Sequence, residues 1–317
     1  MAAAITKTAT SAGPHEPGGA FASLWRHGAT VNDLSTLSMH LASEDDRITP
    51  RQFKVLADLI HAETGISIKA SKQTMLEGRL RRRAKALGLD TIGDYCDLVI
   101  GGAVGPGEHE HLINAVTTNK TDFFREPAHF DYLMQTVLPL YAEEGCRQIK
   151  CWSAACSTGA EPYTLAMLLD DFCTRVRSVD YRVMATDIDT DVLATAIKGI
   201  YPREQLDPVP PHLRRRYVLE PKDPQRGEVR IAPELRRKVA FGRLNLIGDT
   251  YPLDEPVHVI FCRNVLIYFD KKTQEEVVLR LSEKLLPGGY LFLGHSESIT
   301  GFRHDLTQVA GTVFRRI

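Results

Sequence analysis

The segment from Ile149 to Glu161 constrains this chain most. A buried apolar run, Ile149-Lys150-Cys151-Trp152-Ser153-Ala154-Ala155, ends in Cys156-Ser157-Thr158-Gly159 and gives way at Glu161-Pro162 to the helical pattern YTLAMLLDDF. A strand, a tight turn of small residues and a helix form the first unit of a nucleotide-binding α/β fold. Small residues let the backbone approach a ligand, and a helix N-terminus favours negative charge. Further apolar runs, YRVMATD, VHVIFCRN and GYLFLGH, alternate with helical stretches, the pattern of a parallel sheet covered by helices. A Pro-Gly-Gly turn is expected between the last helix and GYLFLGH, and GTVFRRI reads as the terminal strand.

The second strand ends at Asp187, where an acidic side chain can accept hydrogen bonds from ribose hydroxyls. The first loop carries one glycine and no GxGxxG, which disfavours a dinucleotide pyrophosphate. Adenosylmethionine has no phosphate and needs no such cradle. Its amino group is cationic, and Glu161 at the start of the helix is a partner for it. Read alone, a strand-turn-helix of small residues is common, and Asp187 serves equally as a strand-end cap.

The N-terminal half is organised differently. Residues 1–45 read as a disordered or weakly ordered extension, in which FASLW and LSTLSMHLA form weak amphipathic turns or a partner-binding segment. Thr49-Pro50 starts a helix, with Thr49 as N-cap and Pro50 at the first helical position. Helical patterns continue through PRQFKVLADLIHAETG, MLEGRLRRRAKALGL (stopped by Gly88), DTIGDYCDLVIGG and EHEHLINAVTT. Residues 46–118 are thus expected to be an all-helical domain. On the helix around Arg79, Leu80, Ala84 and Leu87 make the buried face, while Arg79, Arg82 and Arg83 share another with Lys85 nearby. Without further context such a cluster is a solvated charged face.

The totals exclude several classes. A length of 317 residues suffices for two domains. A formal net charge of −1 leaves no global basic field for nucleic acid. No stretch approaches the run of roughly 20 apolar residues that spans a bilayer; the best, from Val257 to Phe269, is broken by Arg263 and Asn264. The N-terminus lacks an apolar signal-peptide core, which points to the cytoplasm. Six cysteines without paired CxxC clusters read as buried free thiols, with no disulfide and no metal.

Six stretches in order, TTNKTDFFREPAHF (117–130), WSAACSTGAEPYTLAM (152–167), ATDIDTDVLATAIKGIY (185–201), FGRLNL (241–246), FCRNVLIYF (261–269) and LLPGGYLFLGHSE (285–297), together resemble the CheR family of chemoreceptor glutamate methyltransferases. The resemblance implies a Rossmann-like, S-adenosylmethionine-dependent methyltransferase domain over 136–317, reached through a linker at 119–135 that carries cofactor contacts. It implies a small inserted β-subdomain at about 203–240. It places cofactor contacts at Asn119, Thr121, Arg125, Glu161, Asp187, Asn245, Leu246, Arg263 and Asn264, with Tyr268 beside the transferred methyl. Arg125 and Tyr268 would be the catalytic pair, Arg125 clamping a carboxylate of either substrate or cofactor. Lys120 and Asp122 depart from the family's first motif at variable positions. Phe123-Phe124 reads as core anchoring the linker.

The implied reaction is methylation of receptor glutamates, giving methyl esters and S-adenosylhomocysteine. Receptor methylation regions are acidic helical bundles, so Arg79, Arg82, Arg83 and Lys85 become a docking surface. A receptor C-terminal peptide is a further partner for the β-subdomain; nucleic acid and membrane insertion are not expected, and the protein should be a monomer. The competing readings are a small-molecule or nucleic-acid methyltransferase on the same fold, and a non-catalytic scaffold that binds adenosylmethionine as a signal.

Overall fold

The computed structural model describes residues 46–223 and 225–317; the expectations for 1–45 fall outside the described residues. The first helix, α1 (Pro50–Thr64), starts with a reciprocal cap. The Thr49 hydroxyl accepts from the Gln52 backbone N–H, and the Gln52 side chain accepts from the Thr49 N–H, with Pro50 at the first helical position. Three helices follow, α2 (Gln73–Ala86), α3 (Ile92–Ile100) and α4 (Pro106–Val116). They bury Leu56, Ile60, Leu76, Leu80, Tyr95 and Leu112 in a core of their own. Leu87, expected on that buried face, is 43% exposed. It follows the last helical residue, Gly88 takes φ +72, and Leu89 turns in against the core instead.

The chain then passes through a linker into α5 (Pro127–Tyr132), which continues through a single π-helical turn at Leu133–Val137 into α6 (Leu138–Glu143). Strand β1 (Gln148–Ala154) and helix α7 (Ala160–Arg175) open the α/β domain, followed by β2 (Asp180–Asp187) and α8 (Thr190–Lys198). Strands β3 (Ile200–Pro202), β4 (Val218–Leu219) and β5 (Glu228–Ile231), with α9 (Pro211–Tyr217), form a separate antiparallel sheet in the order β3-β5-β4. After α10 (Pro233–Arg236) the chain returns to the main sheet through β6 (Val239–Arg243), β7 (Val257–Cys262), α11 (Lys271–Glu283), β8 (Leu285–Leu293), β9 (Leu306–Ala310) and β10 (Val313–Arg316).

The main sheet has seven strands in the order β6-β2-β1-β7-β8-β10-β9. The first five are parallel, β10 pairs antiparallel with β8, and the edge strand β9 pairs antiparallel with β10. This is a Rossmann-like α/β domain beside an all-helical one. Two apolar clusters cover the two faces of the sheet, and β1 sends Cys151 to one and Trp152 to the other, as the period-2 alternation of a strand requires.

Three features differ from the sequence reading. The small sheet begins at Ile200, before the expected residue 203, and residues 239–240 belong to β6 of the main sheet. Pro287-Gly288-Gly289 does not form a turn. Strand β8 runs through it, with Gly288 at φ +77 and a register irregularity against β7, so the three residues make a bulge. Strand β9 was not foreseen, because its residues Leu306-Thr307-Gln308-Val309-Ala310 lie mostly exposed at the sheet edge and carry no apolar run.

The helical domain sits over the carboxyl ends of the parallel strands. Ser67 N–H donates to the Tyr268 carbonyl (2.9 Å), and His61 Nε2 lies 3.0 Å from Asp270 Oδ2. Gly65 caps α1 at φ +73, and a Cβ there would stand 2.6 Å from Ile247 Cγ2. Gly65→Ala should therefore combine left-handed strain of roughly 1–2 kcal/mol with overpacking of roughly 1–3 kcal/mol. Urea unfolding that shows a loss under about 1 kcal/mol would mean that the seam yields easily.

Candidate active site

The loop after β1 is built from backbone that ordinary side chains avoid. Ala155 and Ser157 take φ +77 and +50, and Gly159 takes +93. A Cβ on Gly159 would lie 2.8 Å from Ala196 Cβ and 2.9 Å from the Tyr201 hydroxyl, so only glycine fits. The loop is pinned to β2: the N–H groups of Ala155 and Cys156 both donate to the Thr186 carbonyl. Beside it the Asp187 carboxylate accepts from Ser157 N–H (2.8 Å) and Asp189 N–H (3.0 Å). Burial raises the Asp187 pKa, and these backbone bonds oppose the rise.

Arg263, at the end of β7, holds three segments together. Its side chain is 2% exposed and meets Glu161 Oε2 of α7 at 3.0 Å and Glu126 Oε2 of the linker at 3.0 Å. The same guanidinium donates to the Arg125 carbonyl and lies 5.4 Å from the centre of the Phe130 ring. Glu161 also accepts from Ser153 Oγ (2.7 Å). Burial pushes Glu126 up, but hydrogen bonds from Asn264 and Arg263 outweigh it and leave the carboxyl below its usual range. Behind them Glu297 accepts from the backbone N–H groups of Asn264 (3.0 Å), Leu266 (2.8 Å) and Gly294 (2.6 Å). Burial raises its pKa against those bonds. The Glu297 bonds hold the chain at Asn264, a non-glycine residue at φ +59.

The residues expected to contact a cofactor or carry catalysis come together. Asn119, Thr121 and Arg125 of the linker, Glu161, Asp187, Asn245 and Leu246 after β6, and Arg263, Asn264 and Tyr268 after β7 all line one cleft. Their side chains are not equally free. Asn119 donates to Asp189 Oδ2 (2.6 Å) and Thr117 Oγ1, and Asn245 donates to the Glu63 carbonyl at the end of α1 (2.7 Å). Asn264 donates to Glu126 Oε1 (3.1 Å). Among the described residues Arg125 is held only at Nη1, by the Lys120 carbonyl (2.8 Å), and most of its donor fork remains for a ligand.

The basic helix divides. Arg79 is half-buried and donates to the carbonyls of Ala115, Val116 and Thr117, ending α4 just before the linker. Burial and then Arg82 lower its pKa. Arg83 makes a two-pronged pair with Glu108, at 3.0 and 2.6 Å, beside the Tyr95 hydroxyl. Arg82 and Lys85 are exposed. The four residues read as one docking face are therefore two braces and two surface charges. The sequence reading also passed over Glu126 and Glu297, which anchor Arg263 and Asn264. Both lie inside quoted stretches, REP and HSE, but acidic residues between loop signals carry no mark of burial. The six cysteines are free, and four are buried.

The cleft suits a particular ligand chemistry. Acidic Glu161 and Asp187 stand at its inner end, and Ile66, Leu244, Leu246, Val265 and Phe269 supply apolar walls. Lys120, Asp122, Arg125 and Arg263 line it as well, and Arg263 already pairs with Glu161, so Asp187 at the end of β2 is the carboxylate placed to meet ribose hydroxyls. A cleft at the carboxyl ends of the parallel strands of a Rossmann-like sheet is the place where that class of fold binds a nucleoside-bearing cofactor. Residues 119–315 match the SAM-binding domain of CheR methyltransferase, and residues 51–117 match its all-alpha domain. The chain is 39% identical over 267 residues to the chemotaxis protein methyltransferase of Escherichia coli (strain K12), covering 84% of this chain and 91% of that one. It is 36% identical over 288 residues to chemotaxis protein methyltransferase 2 of Pseudomonas aeruginosa, covering 88% and 98%. The chain belongs to the CheR methyltransferase family and is an S-adenosylmethionine-dependent methyltransferase.

Removing the Arg263 charge should expose its role as a brace. Arg263→Met leaves Glu161 and Glu126 buried without a counter-charge and should lose about 3–5 kcal/mol of stability, read by urea unfolding. A loss below about 1 kcal/mol would show that the pair is relieved by water.

Proposed function

We propose that the protein methylates glutamate side chains of chemoreceptors in the cytoplasm, with S-adenosylmethionine as methyl donor. The observation that carries this reading is a single cleft with acidic Glu161 and Asp187 inside and the half-free Arg125 fork and Tyr268 beside them. When bound, S-adenosylmethionine supplies an electrophilic methyl on a sulfonium. Asp187 would accept from the ribose hydroxyls, and Glu161 would face the ammonium group. Arg125 would clamp a carboxylate through two parallel N–H bonds, a geometry lysine cannot copy. Tyr268 would lie beside the cationic sulfur.

A glutamate side chain has a pKa of about 4.3 and is ionised at neutral pH, so no general base is required. The demand on the site is in-line alignment at near-attack distance. Arg263 positions that alignment from behind, because it holds the Arg125 carbonyl and Glu161 at once. Docking of an acidic helical bundle falls to Arg82 and Lys85. Among the described residues no helix is long and apolar enough to cross a membrane.

Two measurements separate the parts of this reading. Asp187→Asn should weaken S-adenosylmethionine binding by roughly 10- to 100-fold in calorimetry, the range of about 1.5–3 kcal/mol for a hydrogen bond to a charged group. Arg125→Ala should abolish transfer at unchanged thermal stability. Native affinity in the first variant or native turnover in the second would remove that residue from the site.

The helix α2 gives a sharper contrast. The double variant Arg82→Ala, Lys85→Ala should raise KM for a receptor fragment and leave cofactor affinity unchanged. The defect should shrink as salt rises, because exposed charges are screened over about 8 Å at physiological ionic strength. Arg79→Ala should instead weaken cofactor binding, since it frees the carbonyls that set the start of the linker. Identical behaviour of the two variants would contradict the division of the helix.

A further inference from the structure

Beside the cleft, on the far side of Glu126, three side chains converge around unsatisfied atoms. Glu126 precedes α5 at φ +57. His129 lies one turn along that helix, and His295 follows β8. Their candidate ligand atoms all lie within 4.8 Å of one another. His129 Nδ1 is 3.4 Å from Glu126 Oε2, and His295 Nε2 is 3.9 Å from the same oxygen. Tetrahedral zinc, with bonds of ~2.1 Å, places neighbouring ligand atoms roughly 3.4 Å apart.

The hydrogen bonds around His129 fix its tautomer. The Thr312 hydroxyl donates to the Leu293 carbonyl (2.8 Å), so at 3.0 Å it accepts from His129 Nε2–H. A neutral imidazole carrying its proton on Nε2 turns the bare Nδ1 lone pair toward the Glu126 carboxylate. His129 is 4% exposed and its Nδ1 has no hydrogen-bond partner, while Glu126 Oε2 is met by the Arg263 guanidinium alone. A buried imidazole lone pair turned toward a carboxylate calls for a proton or cation that both can bind. Arg263 Nη2 reaches the same carboxylate oxygen at 3.0 Å but leaves His129 Nδ1 without a bond. Glu126 and Glu161 against Arg263 also leave the group with net negative charge, which a cation would neutralise.

We propose that Glu126, His129 and His295 bind one divalent cation of the zinc class, with water completing the tetrahedron. Two imidazoles and one carboxylate suit zinc and exclude the all-oxygen preference of magnesium and calcium. The Thr312 contact to the outer nitrogen of His129 is the second-layer support such ligands use to fix their tautomer. The ion would fasten the start of α5 to the loop after β8, on either side of Arg263. It would act on the cleft by holding Arg125 and Arg263 in place, not by touching the reacting atoms.

The test uses the full chain, stripped with a chelator, dialysed and titrated with zinc chloride by calorimetry. Wild type should take up zinc at a site that His295→Ala weakens at least tenfold. The His295 side chain is 58% exposed, so this variant should fold. Zinc should raise the unfolding midpoint of wild type and leave that of the variant unchanged, and magnesium should do neither. His129→Gln provides a second variant with the same expected loss. The proposal is overturned if wild type takes up no zinc, or if His295→Ala and His129→Gln bind it as wild type does.

Discussion

Arg263 is the side chain on which the cleft depends. Its guanidinium is almost wholly out of water and divided between Glu161 on α7, Glu126 in the linker and the Arg125 carbonyl. Burying three charges is expensive, and hydrophobic residues of the same volume often serve stability as well. Geometry is what this triad adds. Apolar packing tolerates small slides of one element over another, whereas a planar fork with fixed donor directions does not. The linker is thereby registered against the sheet to within a hydrogen bond, and Arg125 inherits that register because its own carbonyl is part of the triad.

The same logic extends across the seam between the two domains. Arg79 closes the end of α4, Thr117 Oγ1 donates to Asp189 at 2.7 Å, and Asp189 in turn caps α8. Asn245 ties the segment after β6 to the end of α1. The cleft is assembled from six separated stretches of chain, and the helical domain is hydrogen-bonded to those after β6 and β7. Cofactor affinity should therefore respond to changes in the helical domain that never touch the cofactor.

Much of this was legible in the sequence, and the failures have physical reasons. Strands β1 and β7 were visible because both faces of the sheet are covered there, which forces near-continuous apolar runs, and β2 was visible by its alternation. The Thr49 cap was visible because capping is local chemistry. The cleft residues were legible only as an ordered set resembling a family, since an aspartate at a strand end or an arginine after one has many uses. What escaped depends on tertiary context. Nothing local distinguishes Arg79, which braces three carbonyls, from Arg82, which faces solvent one turn away. Glu126 and Glu297 look like surface acids until Arg263 and the backbone N–H groups around Asn264 are folded against them. The edge strand β9 and the bulge at Pro287-Gly288-Gly289 were missed because one lacks an apolar face and the other carries the strongest turn signal in the chain.

The central claim is that this cleft delivers a methyl group to a receptor carboxylate. It is tested most directly by incubating the protein with S-adenosylmethionine labelled in its methyl group and a chemoreceptor cytoplasmic fragment, then mapping the label. The account predicts label on glutamate side chains of the helical bundle, released by base as expected of a methyl ester. Base-stable label, label on nucleic acid or a small molecule, or cofactor binding without transfer to any receptor fragment would contradict it.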